Sequence, residues 1–413
     1  MCVSAQPFPQ PIAQPLPPGS ALTRGPFLPH DSRLEEVLRR RKLLKVVWHL
    51  TNRCNFGCTY CYVKVNRFHT DLSTDQMLLI ADQINAAGAG SVQLTGGEAL
   101  LRPDILTILD RLYRTIEISV NTNGALLTPD LIEAFRKRKV FVSISLDHYD
   151  HEVNVRTRRG SSTPVLIDNL RSLAEAGIET GVTTVVTCHN HRDLAHIAEF
   201  LRGLGVSTWK ATLVNELGEA AEPSVYGGLT VSPADQAEAL RTIYDVQQSY
   251  ASTDFKVKVD LSAHPAYYEL FGNQESQSTS CFCGYVKATI KHDGRLVPCD
   301  SIEYPGDYLQ SGIQAPSLLT DGTLRDLFRD SPLFHYWSMA TAGVVPLGCN
   351  NCEFFQRCRG FCRGRSLVAA GKISGLFGPA QARDCARTLR LHPGPSTVPS
   401  RGVTVCPAPP TAT

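Results

Sequence analysis

The chain lacks any run approaching the roughly 18–20 uninterrupted apolar residues of a membrane helix. Its N-terminus, rich in Gln and Pro, lacks the apolar stretch of a secretory signal. It lacks an excess of charge of either sign as well: 41 Lys and Arg stand against 39 Asp and Glu, a net charge of +2 over 413 residues. Such a chain has no long-range field of the kind a backbone-reading nucleic-acid binder uses, so neither nucleic acid nor a membrane is expected as a partner. These absences imply a soluble, cytoplasmic protein, and the length allows roughly two to three domains. What the sequence has in quantity is cysteine. Fourteen of them in a reducing compartment have no disulfide framework to build, and clustered cysteines in such a place mean metal or catalysis.

Residues 1–31 hold eight of the 26 prolines, and residues 392–413 repeat that character, so both ends read as disordered tails. Ser32-x-x-Glu35 forms a capping box for a first helix. From Lys45 to Val214, six β-branched runs (46–51, 91–95, 115–120, 140–146, 180–187 and 208–214) alternate with helical patterns, several opened by Ser, Thr or Asp and closed by Gly. That alternation implies a parallel α/β sheet, either a barrel or an open doubly wound sheet. Residues 231–280 read as a helical bridge. Residues 281–391, with weak periodicity and dense cysteine, read as a small domain held by metal.

Directly after the first run, Cys54, Cys58 and Cys61 form Cys-x3-Cys-x2-Cys. Three thiolates on one loop can hold three irons of a 4Fe–4S cluster and leave the fourth open. A structural zinc site wants four ligands, and His69 is the nearest fourth partner. The second run ends in Thr95-Gly96-Gly97-Glu98.

This triplet, with Tyr60 before its last cysteine and a Gly-Gly-Glu element after the second strand, resembles the radical S-adenosylmethionine superfamily. The resemblance implies a partial (β/α)6 TIM-type barrel over residues 32–230. It also implies an open iron that chelates S-adenosylmethionine, with Gly96, Gly97 and Glu98 holding the amino group. Asn123, Ser145 and Asp147 are similar to polar elements that line the cofactor in that family, where Gly commonly follows the Asp; here His148 does. Asn190, Arg156 and Arg159 are weaker candidates for the same pocket.

Farther on, Cys283-x10-Gly294-x4-Cys299 is followed by Cys349-x2-Cys352-x5-Cys358-x3-Cys362 and then Cys385. The pattern resembles the SPASM extension of the same superfamily at every short spacing, giving a cysteine-rich α+β domain over 281–391. Carried over, Cys283, Cys299 and Cys362 bind a first auxiliary 4Fe–4S cluster, and Cys349, Cys352, Cys358 and Cys385 a second. That makes three clusters in all. Cys281 is a further candidate ligand of the first auxiliary cluster, and a zinc module is the rival account of the whole set. Cys2, Cys188 and Cys406 read as plain cysteines. Asp300, directly after Cys299, matches an acidic residue that acts as a base in sulfatase-maturating relatives.

The resemblance implies one electron from an external donor such as flavodoxin or ferredoxin, cleavage of S-adenosylmethionine to a 5′-deoxyadenosyl radical, and hydrogen abstraction from the substrate. Oxidative modification of a peptide or protein side chain is the leading expectation. The 53 residues before Cys54 show no leader-binding winged-helix pattern, so a small sugar, nucleoside or amino-acid intermediate is the alternative substrate. A non-catalytic iron–sulfur or zinc protein is a third reading.

Overall fold

In the computed structural model, which describes residues 14–15, 32–63, 71–112, 114, 116–260, 265–271, 281–300, 314–345, 349, 351–358 and 361–370, each of the six runs forms a strand. They are β1 (Lys45–His49), β2 (Ser91–Thr95), β3 (Glu117–Thr122), β4 (Phe141–Ser145), β5 (Thr180–Val186) and β6 (Thr208–Leu213). They pair in sequence order, all parallel, with helices between them, which is the expected partial (β/α)6 barrel. The helices are delimited by local chemistry. Helix Thr74–Ala87 starts with a reciprocal capping box between Ser73 and Gln76 and ends at Gly88 in the left-handed region (φ 72°).

The sheet extends beyond these six on both edges. Strand β7 (Lys256–Val259), inside the segment read as a helical bridge, pairs parallel with β6. Strand β8 (Lys287–Ile290) pairs parallel with β1, and β9 (Leu296–Val297) folds back antiparallel on β8, so the nine-stranded order is β9-β8-β1-β2-β3-β4-β5-β6-β7. The cysteine-rich segment thus contributes two strands to the barrel sheet itself.

Strand alternation separates two environments. Val46, Trp48, Val92, Leu94, Ile118, Val120, Val142, Ile144, Trp209 and Ala211 belong to one buried apolar core. Each large side chain buried there contributes on the order of 1.5–3 kcal/mol. The intervening positions Gln93, Thr95, Asn121, Ser143, Ser145, Thr183, Lys210 and Thr212 line a cavity. A closed barrel fills its interior with branched apolar residues; this lumen is lined by small polar ones and stays open to a ligand. One polar group that enters the core is satisfied across strands: Trp209 Nε1 donates to Thr184 Oγ1 (3.0 Å), which donates to the Leu146 carbonyl (2.8 Å), tying β6 to β5 and the end of β4.

Within 1–31, Gln14–Pro15 pair in parallel with Val344–Val345. The rest of that tail, residues 371–413 with Cys385 and Cys406, and also Cys2 and His69, lie outside the described residues. Among the described residues no helix is long and apolar enough to cross a membrane.

Candidate active site

The chain leaves β1 through Thr51–Arg53, which runs against the end of β2. Gly97 N–H donates to the Thr51 carbonyl and Glu98 N–H to the Arg53 carbonyl, both at 2.8 Å. A Cβ on Gly97 would collide with the Arg53 carbonyl, and Gly96 has φ 145°. The two glycines therefore let the cysteine loop lie directly on the second strand's end.

Cys54, Cys58 and Cys61 all face the lumen, a cavity of about 310 Å³. The loop is pinned from several directions: Gly57 N–H to the Arg159 carbonyl (3.0 Å), Thr59 N–H to the Thr157 carbonyl (2.9 Å), and Glu219 N–H to the Cys61 carbonyl (2.8 Å). Phe56 N–H approaches Cys54 Sγ at 3.4 Å and Asn123 Nδ2 approaches it at 4.0 Å. Burial raises the Cys54 and Cys58 pKa values and pushes that of Cys61 up to about 12, so ligation must displace the thiol protons. A mononuclear ion holds sulfurs about 4 Å apart. Among the described residues the one group of three ligand atoms within 4.8 Å of one another is Cys283, Cys299 and Asp300, so the loop thiols stand wider than a single ion requires. An all-sulfur, three-ligand, widely set loop fits an iron–sulfur cluster better than zinc.

Of the residues expected around the cofactor, Gly96, Gly97, Asn123, Ser145 and Tyr60 line the cavity. Glu98 and Asp147 stand behind its wall. Glu98 is 1% exposed. Its Oε1 accepts from Leu100 N–H (3.0 Å) and Thr122 Oγ1 (2.7 Å), and its Oε2 from Asn123 N–H (2.6 Å). Burial raises its pKa and these donors oppose the rise. Asp147 Oδ2 accepts from Tyr60 Oη and Thr157 Oγ1 (2.6 Å each), and its Oδ1 from Val185 N–H (3.0 Å). Asn190 holds the Asp147 carbonyl from behind (2.9 Å). Arg156 and Arg159 are exposed. It is Arg158, 5% exposed, that reaches the cavity and donates to Tyr60 Oη (2.9 Å). Burial opposes its charge, but Cys58, Tyr60 and Asp147 together outweigh that and hold it charged. Only its place at the end of a short helix, next to the two arginines singled out, hinted at it.

The second set is assembled by the β8–β9 hairpin. Gly294, the glycine of the motif, occupies its turn with φ 83°, which brings Cys283 and Cys299 together from its two arms. Asp300 lies beside them and also lines the cavity. Lys287 Nζ donates to Asp300 Oδ1, and Lys291 Nζ to the Asp300 carbonyl (3.0 Å). Burial works against ionisation of Asp300, yet Lys287 overrides it and holds the carboxyl well below the usual range. Cys281 raises the Cys283 pKa, and burial and then Cys299 raise that of Cys362 while the Arg365 and Gly364 backbone opposes the rise. Arg363, fully buried, feels Cys349, Cys358, Cys281 and Cys362 together. Cys352 N–H donates to the Cys349 carbonyl (3.2 Å).

Two features that spacing gave no sign of link the two sets. Tyr62 lines the cavity, and burial, then Asp300, then Cys61 raise its pKa. Arg365 pairs at 2.7 Å with Glu216, on the loop that covers Cys61; both side chains are nearly buried.

The model of the Radical SAM superfamily matches residues 48–202. An AdoMet-dependent heme synthase from Methanosarcina barkeri is 24% identical over 349 residues, 79% of this chain and 93% of the relative. The mycofactocin maturase MftC of Mycobacterium ulcerans is 28% identical over 337 residues, 80% of this chain and 85% of the relative. In fold, the chain is similar to Streptococcus suis SuiB bound to precursor peptide SuiA, with a TM-score of 0.66 at 18% identity over 85% of this chain and 77% of that one. With the cysteine triplet on its strand end and the glycine pair beside it, residues 48–202 carry a Radical SAM domain, and the chain is an enzyme of S-adenosylmethionine radical chemistry that is similar along most of its length to SPASM-type maturases.

Proposed function

We propose that the chain oxidatively modifies a peptide side chain held in the barrel lumen. The observation that carries this reading is one cavity lined at once by Cys54, Cys58 and Cys61 and by Asp300, the neighbour of Cys299. A substrate in it meets the cysteine triplet and the carboxylate that adjoins the second set. The relatives add support: a maturase and a protein bound to a precursor peptide are among them.

When bound at the triplet, a 4Fe–4S cluster and S-adenosylmethionine supply the one-electron cleavage chemistry that starts hydrogen abstraction. The chain's own residues then have distinct tasks. Gly96 and Gly97 offer backbone approach on one wall, and Asn123, Ser145 and Tyr60 offer polar contacts. Glu98 and Asp147 act as positioning residues: Glu98 fixes the Asn123 backbone, and Asp147 fixes Tyr60. Arg158 keeps positive charge beside the thiolates. Asp300 serves as the base toward the substrate, with Lys287 restraining its basicity. Cys283, Cys299 and Cys362, joined by Cys281, would hold one auxiliary cluster and Cys349, Cys352, Cys358 and Cys385 a second, and such clusters would supply one-electron transfer chemistry. An external donor such as flavodoxin or ferredoxin would be the partner for reduction. The division into a barrel at 32–230, a bridge at 231–280 and an auxiliary-site segment at 281–391 is one of function, since the last two lend strands to the barrel sheet.

The test is anaerobic reconstitution followed by assay for 5′-deoxyadenosine with candidate precursor peptides. Peptide-dependent stimulation with a mass change on the peptide supports the reading; 5′-deoxyadenosine formed without any peptide turnover counts against it. The heme synthase relative favours a second reading, a small biosynthetic intermediate in the same cavity. Turnover of such a molecule without a peptide would establish it.

A further inference from the structure

The cavity has two ends of different character. One holds the cysteine triplet, Gly96, Gly97 and Arg158. The other reaches the open edge of the barrel at β6 and β7, where Lys210 and Asp260 line it. Among the described residues lining the cavity the cations are Arg158 and Lys210. Arg158 is committed to Tyr60 and the thiols. Lys210 is bound loosely: its ammonium lies 3.5 Å from Asp260, and the two side chains are 41% and 51% exposed. A pair that exposed adds little to stability, so folding does not account for an ammonium on a wall where Ser143, Ser145, Thr183 and Thr212 are its polar strand neighbours.

Strand register places more positive charge beside it. Lys210 pairs with Lys258 on β7, and because Val257 and Val259 face the core, Lys256 and Lys258 stand on the face opposite to it. Burial and then Lys256 depress the Lys258 pKa, with Glu179 opposing and Lys210 adding to the effect. Across the open side, burial and then Lys287 lower Lys45 to about 8, with Asp300 opposing and Lys210 among the further contributors. Lys210 thus acts on Lys258 on one side, where Glu179 is the opposing carboxylate, and on Lys45 on the other, where Asp300 and Asp260 oppose.

We propose that Lys210, reinforced by Lys258, is a carboxylate-binding subsite that anchors an anionic group of the substrate at the open edge of the barrel, while its reacting C–H is presented toward Cys54, Cys58 and Cys61. Asp260 holds the ammonium in the empty site and yields it to the incoming carboxylate. The substrate class is accordingly an acidic one, an Asp or Glu side chain of a peptide or a carboxylated small molecule. This rests on the reading of the lumen as the substrate site.

The test uses the full-length reconstituted protein and three probes followed by ligand-detected NMR: N-acetyl-glutamate amide, its neutral isostere N-acetyl-glutamine amide, and glutarate. The acidic probes should bind and the glutamine probe should not. Lys210→Met should weaken the acidic probes at least about tenfold, Lys210→Arg should restore them, and Asp260→Asn should tighten them. Preference for the amino-acid probe over glutarate marks a peptide side chain, and the reverse marks a small carboxylated molecule. Equal binding of the glutamine probe, no binding of either acidic probe, or indifference to Lys210→Met would overturn the subsite. Probe binding needs no S-adenosylmethionine cleavage, so a wild-type protein that binds acidic probes but never forms 5′-deoxyadenosine would overturn the catalytic reading and leave the subsite standing.

Discussion

The two cysteine sites are built on opposite plans. The first draws three thiols from eight consecutive residues on one strand-to-helix connection, and its position is set by backbone: the Gly96-Gly97 pair on one side and the 157–159 and 218–219 segments on the others. The second draws Cys283 and Cys299 from the two arms of a hairpin, with Cys362, just before the distant helix Arg363–Ala370, within the electrostatic reach of Cys299. A contiguous loop tolerates change elsewhere in the chain, whereas a site assembled from three elements depends on all of them. The first site should therefore fail only through its own loop and the glycines beneath it. The second should fail without taking the first with it.

The largest expected effect sits in the first loop. Cys58→Ala should reduce 5′-deoxyadenosine formation to below roughly a thousandth of wild type, a loss of more than about 4 kcal/mol in barrier terms, as measured by chromatography after anaerobic reconstitution. Cys299→Ala should leave uncoupled 5′-deoxyadenosine but lower substrate turnover by at least about 100-fold; equal loss of both would erase the contrast. Gly97→Ala drives a methyl group into the Arg53 carbonyl and should cost about 1–3 kcal/mol in thermal or denaturant unfolding, while Gly57→Ala, in open space on the cysteine loop, should cost less.

A smaller effect tests the underpinning of the first loop. Arg102, nearly buried, donates to Asp104 at 2.8 and 2.6 Å and to the Leu72 carbonyl at 3.0 Å. The Arg102 hydrogen bond holds the Asp104 pKa below its usual value. A carboxylate whose folded pKa is depressed stabilises fully above its unfolded pKa of about 3.9, and that contribution is lost as pH falls through the folded value. Asp104→Asn should thus cost roughly 1 kcal/mol at neutral pH, and its deficit against wild type should shrink below about pH 4.

That Cys54, Cys58, Cys61, Tyr60, Gly96 and Gly97 gather on one cavity was legible in the sequence because the cysteines, the aromatic and the glycines each form local motifs. Spacing alone did not reveal what the glycines accommodate, which is the cysteine loop's own backbone. Nor did it reveal that Glu98 and Asp147 work from behind the cavity wall, since a polar residue at a strand end reads the same whether it faces in or out. Arg158 was hidden by Arg156 and Arg159, and only the local fold distinguishes the three. Strands β7 and β8 escaped notice because four-residue runs such as KVKV and KATI are too short to carry a period. The motif glycine of the second set was legible as a letter, and its meaning, a positive φ at the hairpin turn, came only with the strands on either side.

The measurement that tests the central claim most directly is 5′-deoxyadenosine formation by anaerobically reconstituted wild-type protein beside Cys58→Ala and Cys299→Ala. The account predicts formation by wild type and Cys299→Ala and none by Cys58→Ala. Formation by Cys58→Ala at the wild-type rate would contradict it.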